Sequence, residues 1–249
     1  MRVKIRHVVV PVLALLLGYG VGFAQPYVVR DPLVVGQDAV VEGASPRVKL
    51  VDAGGDVLVI DPPTGEPRVA FVLYPGGLVR PQAYEWIGHA LAQHGVRTLI
   101  PEMPFDLAVL GTGRAEQVAA ELAPGMDVVV GGHSLGGAMA ASYAADHPDA
   151  VDGLVLMAAY PPDGTDITAA GFPALSLMGQ QDEVADPADV RGGLDRLPPS
   201  ATLTTIDGAV HSFFGRYGPQ DGDGVPTVSR AAAEAQIARE LGAFFDDLG

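Results

Sequence analysis

Residues 127–140 read DVVVGGHSLGGAMA. The run Val128–Val130 is typical of a buried parallel strand, and the small apolar residues after Ser134 favour a helix. Gly132 and Gly136 lie two positions to either side of Ser134, which gives the pattern G-x-S-x-G between the two elements. A serine on so sharp a turn is exposed at the positive end of the helix, and a side chain at either glycine would collide with backbone. The stretch therefore predicts an α/β protein in which Ser134 is a nucleophile.

Strands and helices alternate on both sides of this stretch. Apolar runs predict strands over residues 48–51, 57–60, 69–74, 96–100, 127–130, 154–157, 174–178 and 202–206. Helical periodicity predicts helices over residues 81–94, 115–122, 135–146, 189–197 and 230–248. This order indicates one domain over residues 47–249, with a mainly parallel central sheet, helices on both faces and an antiparallel edge from the first two strands. The loop Ala159–Phe172 is too short to form a large cap domain.

The composition excludes several classes of function. The chain holds 15 Lys+Arg against 30 Asp+Glu, a formal net charge of −15. Such a surface disfavours nucleic acids, anionic membrane surfaces and acidic substrates. The absence of cysteine excludes disulfides, thiol catalysis and cysteine-ligated zinc. We expect no cofactor and no metal, and the composition leaves the oligomeric state open.

Residues 1–24 have the pattern of an export signal. Three basic residues precede the uncharged, mainly apolar run Val8–Phe23, and Gly22 and Ala24 are small residues at the −3 and −1 positions of a cleavage site. We interpret the segment as a signal peptide, with an uncleaved N-terminal membrane anchor as the alternative. Either would place the rest of the chain in the periplasm, on the cell surface or outside the cell. Residues 25–46 are interpreted as a lead-in segment.

His211 is the predicted base for Ser134. It lies in the loop after the last predicted strand, downstream of the serine and of the acidic loop described next, which is the chain order that this arrangement requires. A surface histidine in a loop is the alternative. The other histidines lie in the export signal, on or at the ends of predicted helices, or beside the serine with a side chain expected to point away, at positions 7, 89, 94, 147 and 133.

Asp182 is the predicted acid. It follows the strand 174–178 directly through Gly179-Gln180-Gln181, and a side chain at a strand end is held better than one deep in a loop. Its task would be to fix the tautomer of the base and to stabilise the imidazolium. Three neighbours in the same loop remain alternatives: Glu183, Asp186 and Asp189.

Two backbone N–H groups are expected to form an oxyanion hole. Leu135 follows the nucleophile and should provide one. The turn Tyr74-Pro75-Gly76-Gly77-Leu78 follows the third strand and should provide the other, with Gly77 as the expected donor and Leu78 as the alternative.

These motifs resemble those of the α/β-hydrolase superfamily, from about residue 50 to the C-terminus. The chain is most similar to a small lidless group that carries a Tyr-Pro-Gly-Gly turn, a Gly-Gly-His-Ser-Leu-Gly-Gly elbow and a Tyr-Gly-Pro-Gln-x-Gly-Asp-Gly loop, here Tyr74–Gly77, Gly131–Gly137 and Tyr217–Gly224. The resemblance implies the α/β-hydrolase fold without a large cap, and the same nucleophile, acid and base. An asparagine often precedes the histidine in that group, whereas Val210 stands here. The resemblance supplies no substrate.

The acidic tract Asp221–Gly224 has two interpretations. Alternating aspartates and glycines suggest calcium, but the tract lacks the third ligand position and the later glutamate of an EF-hand loop. We therefore predict a glycine turn that supports the loop of His211.

Together the sequence predicts a serine hydrolase that cleaves small neutral carboxylic or thio-esters through an acyl-enzyme. A serine at the elbow in place of aspartate argues against haloalkane and epoxide chemistry. The alternatives are an acyltransferase, peptidase or perhydrolase with the same triad, and a non-catalytic exported binding module.

Overall fold

The central feature of the fold is a twisted sheet with the strand order β1-β2-β4-β3-β5-β6-β7-β8. A computed structural model describes residues 46–248 together with Gly18 and Gly20. The strands of this described part are β1 (Arg47–Asp52), β2 (Asp56–Asp61), β3 (Val69–Tyr74), β4 (Val96–Pro101), β5 (Asp127–His133), β6 (Gly153–Met157), β7 (Ala174–Gly179) and β8 (Thr202–Ile206). Antiparallel pairing joins β1 to β2 and β2 to β4, and every other pair is parallel. The predicted mainly parallel sheet with an antiparallel edge is confirmed.

The α-helices of the described residues pack on both faces of this sheet. They are α1 (Glu85–Ala92), α2 (Arg114–Leu122), α3 (Leu135–Asp146), α4 (Pro187–Gly193) and α5 (Arg230–Asp247). The helix predicted over 81–94 is shorter, because Pro81–Tyr84 forms a 3-10 turn and Gly95, with a φ of 73°, ends the helical segment. The helix predicted over 189–197 begins earlier, because Asp186 caps it and Pro187 occupies its first position. The segment from Ala158 to Pro173 contains no helix or strand, so no cap domain covers the sheet there.

The strand β3 shows why its sequence is apolar throughout. Val69, Phe71 and Leu73 point into the core layer on one face of the sheet, and the three residues between them point into the layer on the other face. All six residues are buried. A strand covered by helices on both faces has no polar side, so it reads as a continuous apolar run.

The carboxyl ends of the parallel strands meet at one edge of the sheet. Tyr74 of β3 pairs with Gly132 of β5, and Gly179 of β7 pairs with Ile206 of β8. Because parallel strands end together, the loops that follow them converge at this edge. These loops carry the predicted site residues: Gly77, Ser134, Asp182 and His211.

The chain divides into two units, Met1–Pro32 and Leu33–Gly249. Of the first unit the structure describes Gly18 and Gly20, both helical. Apart from these two glycines, the predicted signal peptide or membrane anchor over residues 1–24 lies outside the described residues, as does the lead-in over 25–46 except for Pro46. Within the described part of the chain, no helix is both long enough and apolar enough to span a membrane.

Candidate active site

Ser134 lies on the sharp turn between β5 and α3. Its backbone has φ 53° and ψ −125°, a conformation that a residue with a side chain rarely adopts. Flanking hydrogen bonds hold it: the Ser134 N–H donates to the Met157 carbonyl and the Ser134 carbonyl accepts from Ala138 N–H, each at 3.0 Å. The strained turn places the serine at the N-terminus of α3, half-buried and next to solvent.

The two glycines of the pattern are required by the β3 backbone. A Cβ at Gly136 would lie 2.2 Å from the Tyr74 carbonyl oxygen, and one at Gly132 would lie 2.6 Å from the same oxygen. Both distances are far below van der Waals contact. The tight elbow and the end of β3 therefore pack backbone against backbone, as the pattern predicted.

Asp182 and His211 are hydrogen-bonded to each other. Asp182 Oδ2 lies 2.8 Å from His211 Nδ1, and the two residues are 3% and 1% exposed. The other oxygen, Oδ1, accepts the N–H groups of Val184 at 2.9 Å and Ala185 at 2.7 Å. In a neutral imidazole, a carboxylate acceptor at Nδ1 favours the tautomer that carries its proton on His211 Nδ1 and its lone pair on Nε2. This is the tautomer that a general base needs.

The other acids of the same loop face solvent. Glu183, Asp186 and Asp189 are exposed. Asp186 Oδ1 accepts the Ala188 N–H at 2.7 Å and so caps α4. Among these four acids the hydrogen bond to His211 belongs to Asp182, the residue nearest the strand end.

One N–H group of the glycine turn has no hydrogen-bond acceptor among the described residues and is therefore available to an oxyanion. The Leu78 N–H donates to the Asp106 carbonyl at 2.7 Å, and the Gly76 N–H donates to the Tyr84 hydroxyl at 2.9 Å. The described residues offer no acceptor to the Gly77 N–H between them. A Cβ at Gly77 would lie 3.3 Å from Leu135 Cδ2, so the turn packs directly on the first residue of α3. The Leu135 N–H begins that helix, where backbone donors have no partner inside the helix.

A buried network, which the sequence reasoning missed, holds this turn. The Tyr84 hydroxyl lies 2.9 Å from His133 Nδ1. Burial raises the pKa of Tyr84 far above its usual value, so the hydroxyl keeps its proton. Because that oxygen already accepts the Gly76 N–H, its own proton goes to Nδ1 of His133. The tyrosine therefore links the histidine before the nucleophile to the turn that carries Gly77.

His133 is a neutral neighbour of the predicted base. Burial first, and the nearby His211 second, hold the pKa of His133 well below its usual value. The two imidazole rings lie with their centroids 4.5 Å apart. His133 Nε2 is buried and has no partner in normal hydrogen-bond geometry among the described residues. A neutral His133 places no second cation beside His211. The sequence held one signal for this network, a tyrosine on the apolar face of a helix, whose hydroxyl needs a partner when buried.

An apolar cavity of about 430 Å³ opens beside Ser134. The helix α3 contributes Leu135 and Met139, and the segment after β6 contributes Tyr160. Val184 and Ala185, whose N–H groups Asp182 holds, line the same cavity. None of the described residues that line it carries a charged side chain. The cavity is suited to an uncharged, mainly apolar group.

The mainly parallel sheet and the turn at Ser134 are those of an α/β-hydrolase, and the family comparison agrees. Residues 70–235 match the alpha/beta hydrolase family, two thirds of the chain. The chain belongs to this family. A comparison of the sequence with curated proteins yields no match.

Solved structures from several organisms share the fold at low sequence identity. A protein of Thermoplasma acidophilum described as a predicted CIB-like hydrolase has a TM-score of 0.63 at 15% identity, over 82% of this chain and 99% of that one. Dienelactone hydrolase from Anabaena variabilis has a TM-score of 0.62 at 18% identity, over 81% and 97%. Est1E from Butyrivibrio proteoclasticus with bound ferulic acid has a TM-score of 0.61 at 15% identity, over 80% and 98%. The chain is therefore similar to these enzymes in its fold.

Proposed function

We propose that the protein is a serine hydrolase that cleaves carboxylic or thio-esters through an acyl-enzyme. The observation that carries the proposal is the buried hydrogen bond of 2.8 Å between Asp182 and His211, at the sheet edge where Ser134 occupies its strained turn. A fixed tautomer of the base and an activated serine at a helix N-terminus are what nucleophilic catalysis at a carbonyl requires.

The reaction proceeds in two halves. Ser134 Oγ attacks the ester carbonyl carbon while His211 Nε2 takes the hydroxyl proton, and the carbonyl oxygen becomes an oxyanion held by the N–H groups of Gly77 and Leu135. When the oxyanion collapses, the bond to the alcohol or thiol breaks and His211 returns the proton to that leaving group. Water then attacks the acyl-enzyme with His211 again as base. This releases the carboxylic acid and restores the serine.

The apolar cavity supports a substrate with an uncharged, mainly apolar group. The net charge of −15 repels acidic substrates, and the cavity of about 430 Å³ has no charged lining residue to pair with one. Est1E, which shares the fold, binds ferulic acid, an aromatic acid, and dienelactone hydrolase is named for a cyclic ester. We propose neutral esters with aliphatic or aromatic groups as the substrate class.

The test compares two serines of the same helix region on a series of nitrophenyl esters. Ser134→Ala should lower turnover about 10⁴-fold or more, because triad members act as a unit. Ser142 is the matched control, since its hydroxyl donates to the Ala138 carbonyl at 3.2 Å within α3. Ser142→Ala should keep turnover within about threefold.

Labelling with a fluorophosphonate probe separates the alternatives. A working serine hydrolase is labelled at Ser134 and not in Ser134→Ala, whereas a binding module of the same fold stays unlabelled. Labelling without ester turnover would favour a peptidase or an acyltransferase that uses the same triad. Undiminished ester turnover in pure Ser134→Ala would end the serine-hydrolase proposal.

A further inference from the structure

The segment Tyr217–Gly224, named the strap below, binds the backbone of the predicted catalytic histidine. Asp223 Oδ1 accepts the His211 N–H and Asp223 Oδ2 accepts the Ser212 N–H, both at 2.8 Å. These donors begin the 3-10 turn His211–Phe214, and Val210, which precedes the turn, supplies no side-chain cap. Hydrogen bonds to an ionised carboxylate are roughly twice as strong as neutral ones. A carboxylate from outside the turn therefore caps it.

The strap also lies against the loop of the predicted acid. A Cβ at Gly224 would lie 1.8 Å from the Gln181 carbonyl oxygen, so the strap backbone packs on the peptide directly before Asp182. Any side chain at Gly224 would push the two segments apart. The Gly224 N–H donates to Asp223 Oδ1 at 2.9 Å, which fixes the carboxylate relative to this contact. Adjacent residues of the strap thus contact the loops of both His211 and Asp182.

The beginning of the strap is tied to the same histidine turn. Arg230 of α5 donates to the Ser212 carbonyl at 2.7 Å and to the Tyr217 carbonyl at 3.2 Å, and it also binds the Gly215 carbonyl. Tyr217 is buried at 6% exposure, with its ring centroid 6.0 Å from that of His133. The strap is therefore held at both ends against the residues around His211.

We propose that Asp223 is a positioning residue that holds His211 in the geometry of catalysis. The inference rests on the proposed serine hydrolase function. His211 must keep Nδ1 on Asp182 while Nε2 reaches the serine, and its side chain starts from a backbone that Asp223 clamps by two adjacent N–H groups. A misplacement of about 1 Å at a catalytic group costs about 10²-fold in rate. Asp223 acts through His211 and does not touch the ester.

The experiment compares Asp223→Ala and Asp223→Asn with a matched aspartate. Asp223→Ala removes both acceptors and should lower kcat about 10- to 100-fold while KM changes less than about threefold. Asp223→Asn keeps one acceptor oxygen, so its kcat should lie between those of Asp223→Ala and the wild type. Asp152→Asn is the control, because Asp152 Oδ2 accepts the Val128 N–H at 2.7 Å at the opposite end of β5 from Ser134. Its kcat should stay within about threefold of the wild type.

Counting active sites separates positioning from simple stability. The endpoint of fluorophosphonate labelling gives the number of competent sites, and turnover is divided by that number. A purely structural Asp223 would reduce the labelled fraction and leave the rate per labelled site unchanged, which would overturn the proposal. A positioning Asp223 lowers the rate per labelled site. Where Asp223→Ala does not fold, Asp223→Asn decides by the same criterion. If Ser134→Ala keeps its turnover, the proposed function is refuted. If Ser134→Ala loses its turnover but both Asp223 variants keep the wild-type rate per labelled site, only the positioning role is refuted.

Discussion

Removing the Tyr84 hydroxyl tests whether the hydrogen bonds of Tyr84 to His133 and Gly76 position the Gly77 N–H, the expected oxyanion donor. Tyr84→Phe leaves the Gly76 N–H without its acceptor and His133 Nδ1 without its donor, two hydrogen bonds of 2.9 Å. Each buried polar group left unpaired costs about 1–3 kcal/mol, so the free energy of unfolding should fall by about 2–6 kcal/mol. Loss of a whole oxyanion donor lowers kcat about 10²- to 10³-fold. Because Gly77 is loosened rather than removed, we expect kcat to fall about 10- to 100-fold, with little change in KM.

The matched control is another buried tyrosine on the opposite face of the sheet. The Tyr74 hydroxyl donates to the Thr112 carbonyl at 2.6 Å and accepts the Ala115 N–H at 2.7 Å, so Tyr74→Phe also breaks two hydrogen bonds. Its stability should fall by a similar amount, since the same kind of hydroxyl is lost. Its kcat should stay within about threefold, because those side-chain bonds hold Thr112 and Ala115 at the N-terminus of α2, and the Tyr74 backbone that leads into the turn of Gly77 is unchanged.

Urea unfolding and nitrophenyl ester kinetics on the two variants give the answer. A wild-type kcat in Tyr84→Phe would show that Gly77 needs no support from this network. Equal losses of kcat in both variants would show that the effect is general destabilisation.

Three further predictions follow from the site and the sequence. Asp182→Asn should lower kcat about 10²- to 10⁴-fold, because the amide presents the wrong partner to the imidazole. Asp186→Asn should lower kcat less than about tenfold, and a larger loss in ester kinetics would contradict the assignment of Asp182 as the acid. Because burial lowers the pKa of His133, this residue stays neutral in the folded protein but takes up a proton in the unfolded chain below pH about 6.5. The unfolded state then binds more protons, so the free energy of unfolding decreases as the pH is lowered through that range. Urea unfolding measures the free energy of unfolding at pH 7 and at pH 5. The decrease between the two should be smaller by about 2 kcal/mol in His133→Gln than in the wild type, and equal decreases would be evidence against a neutral His133. Cell fractionation of the full chain should find the domain exported, starting near Gln25 when cleaved, and an intact cytoplasmic protein would refute the export signal.

The sequence predicted the fold well where burial decides the residue type. β3, α3 and β7 occupy the predicted spans or lie within one residue of them, because fully buried strands and a Gly-x-Ser-x-Gly elbow leave few alternatives. The structure also brings Asp182 and His211 together, which their places after successive strands had indicated. Chain order and strand ends carry this information without any knowledge of side-chain contacts.

The finer parts of the site depend on contacts between distant residues. Tyr84 and His133 are 49 positions apart, and neither residue type by itself indicates a shared hydrogen bond. The choice between Gly77 and Leu78 depends on the Asp106 carbonyl, whose own backbone has a positive φ of 55° in a loop that no periodicity predicts. The sequence predicted a supporting turn at Asp221–Gly224, but the roles of Asp223 and Gly224 in it appear only when the loops are placed together.

Under the proposed function, the carboxylate of Asp182 connects rate and substrate preference. One of its oxygens holds His211, and the other holds the N–H groups of Val184 and Ala185, which form a wall of the apolar cavity. A change at Asp182 therefore moves the base and reshapes the cavity at once. Under the proposed function, a backbone change in this wall would disturb turnover as well as selectivity, whereas Met139 lines the cavity from a different element, α3. Divergence in substrate among close relatives should accordingly accumulate on α3 rather than in the acid loop.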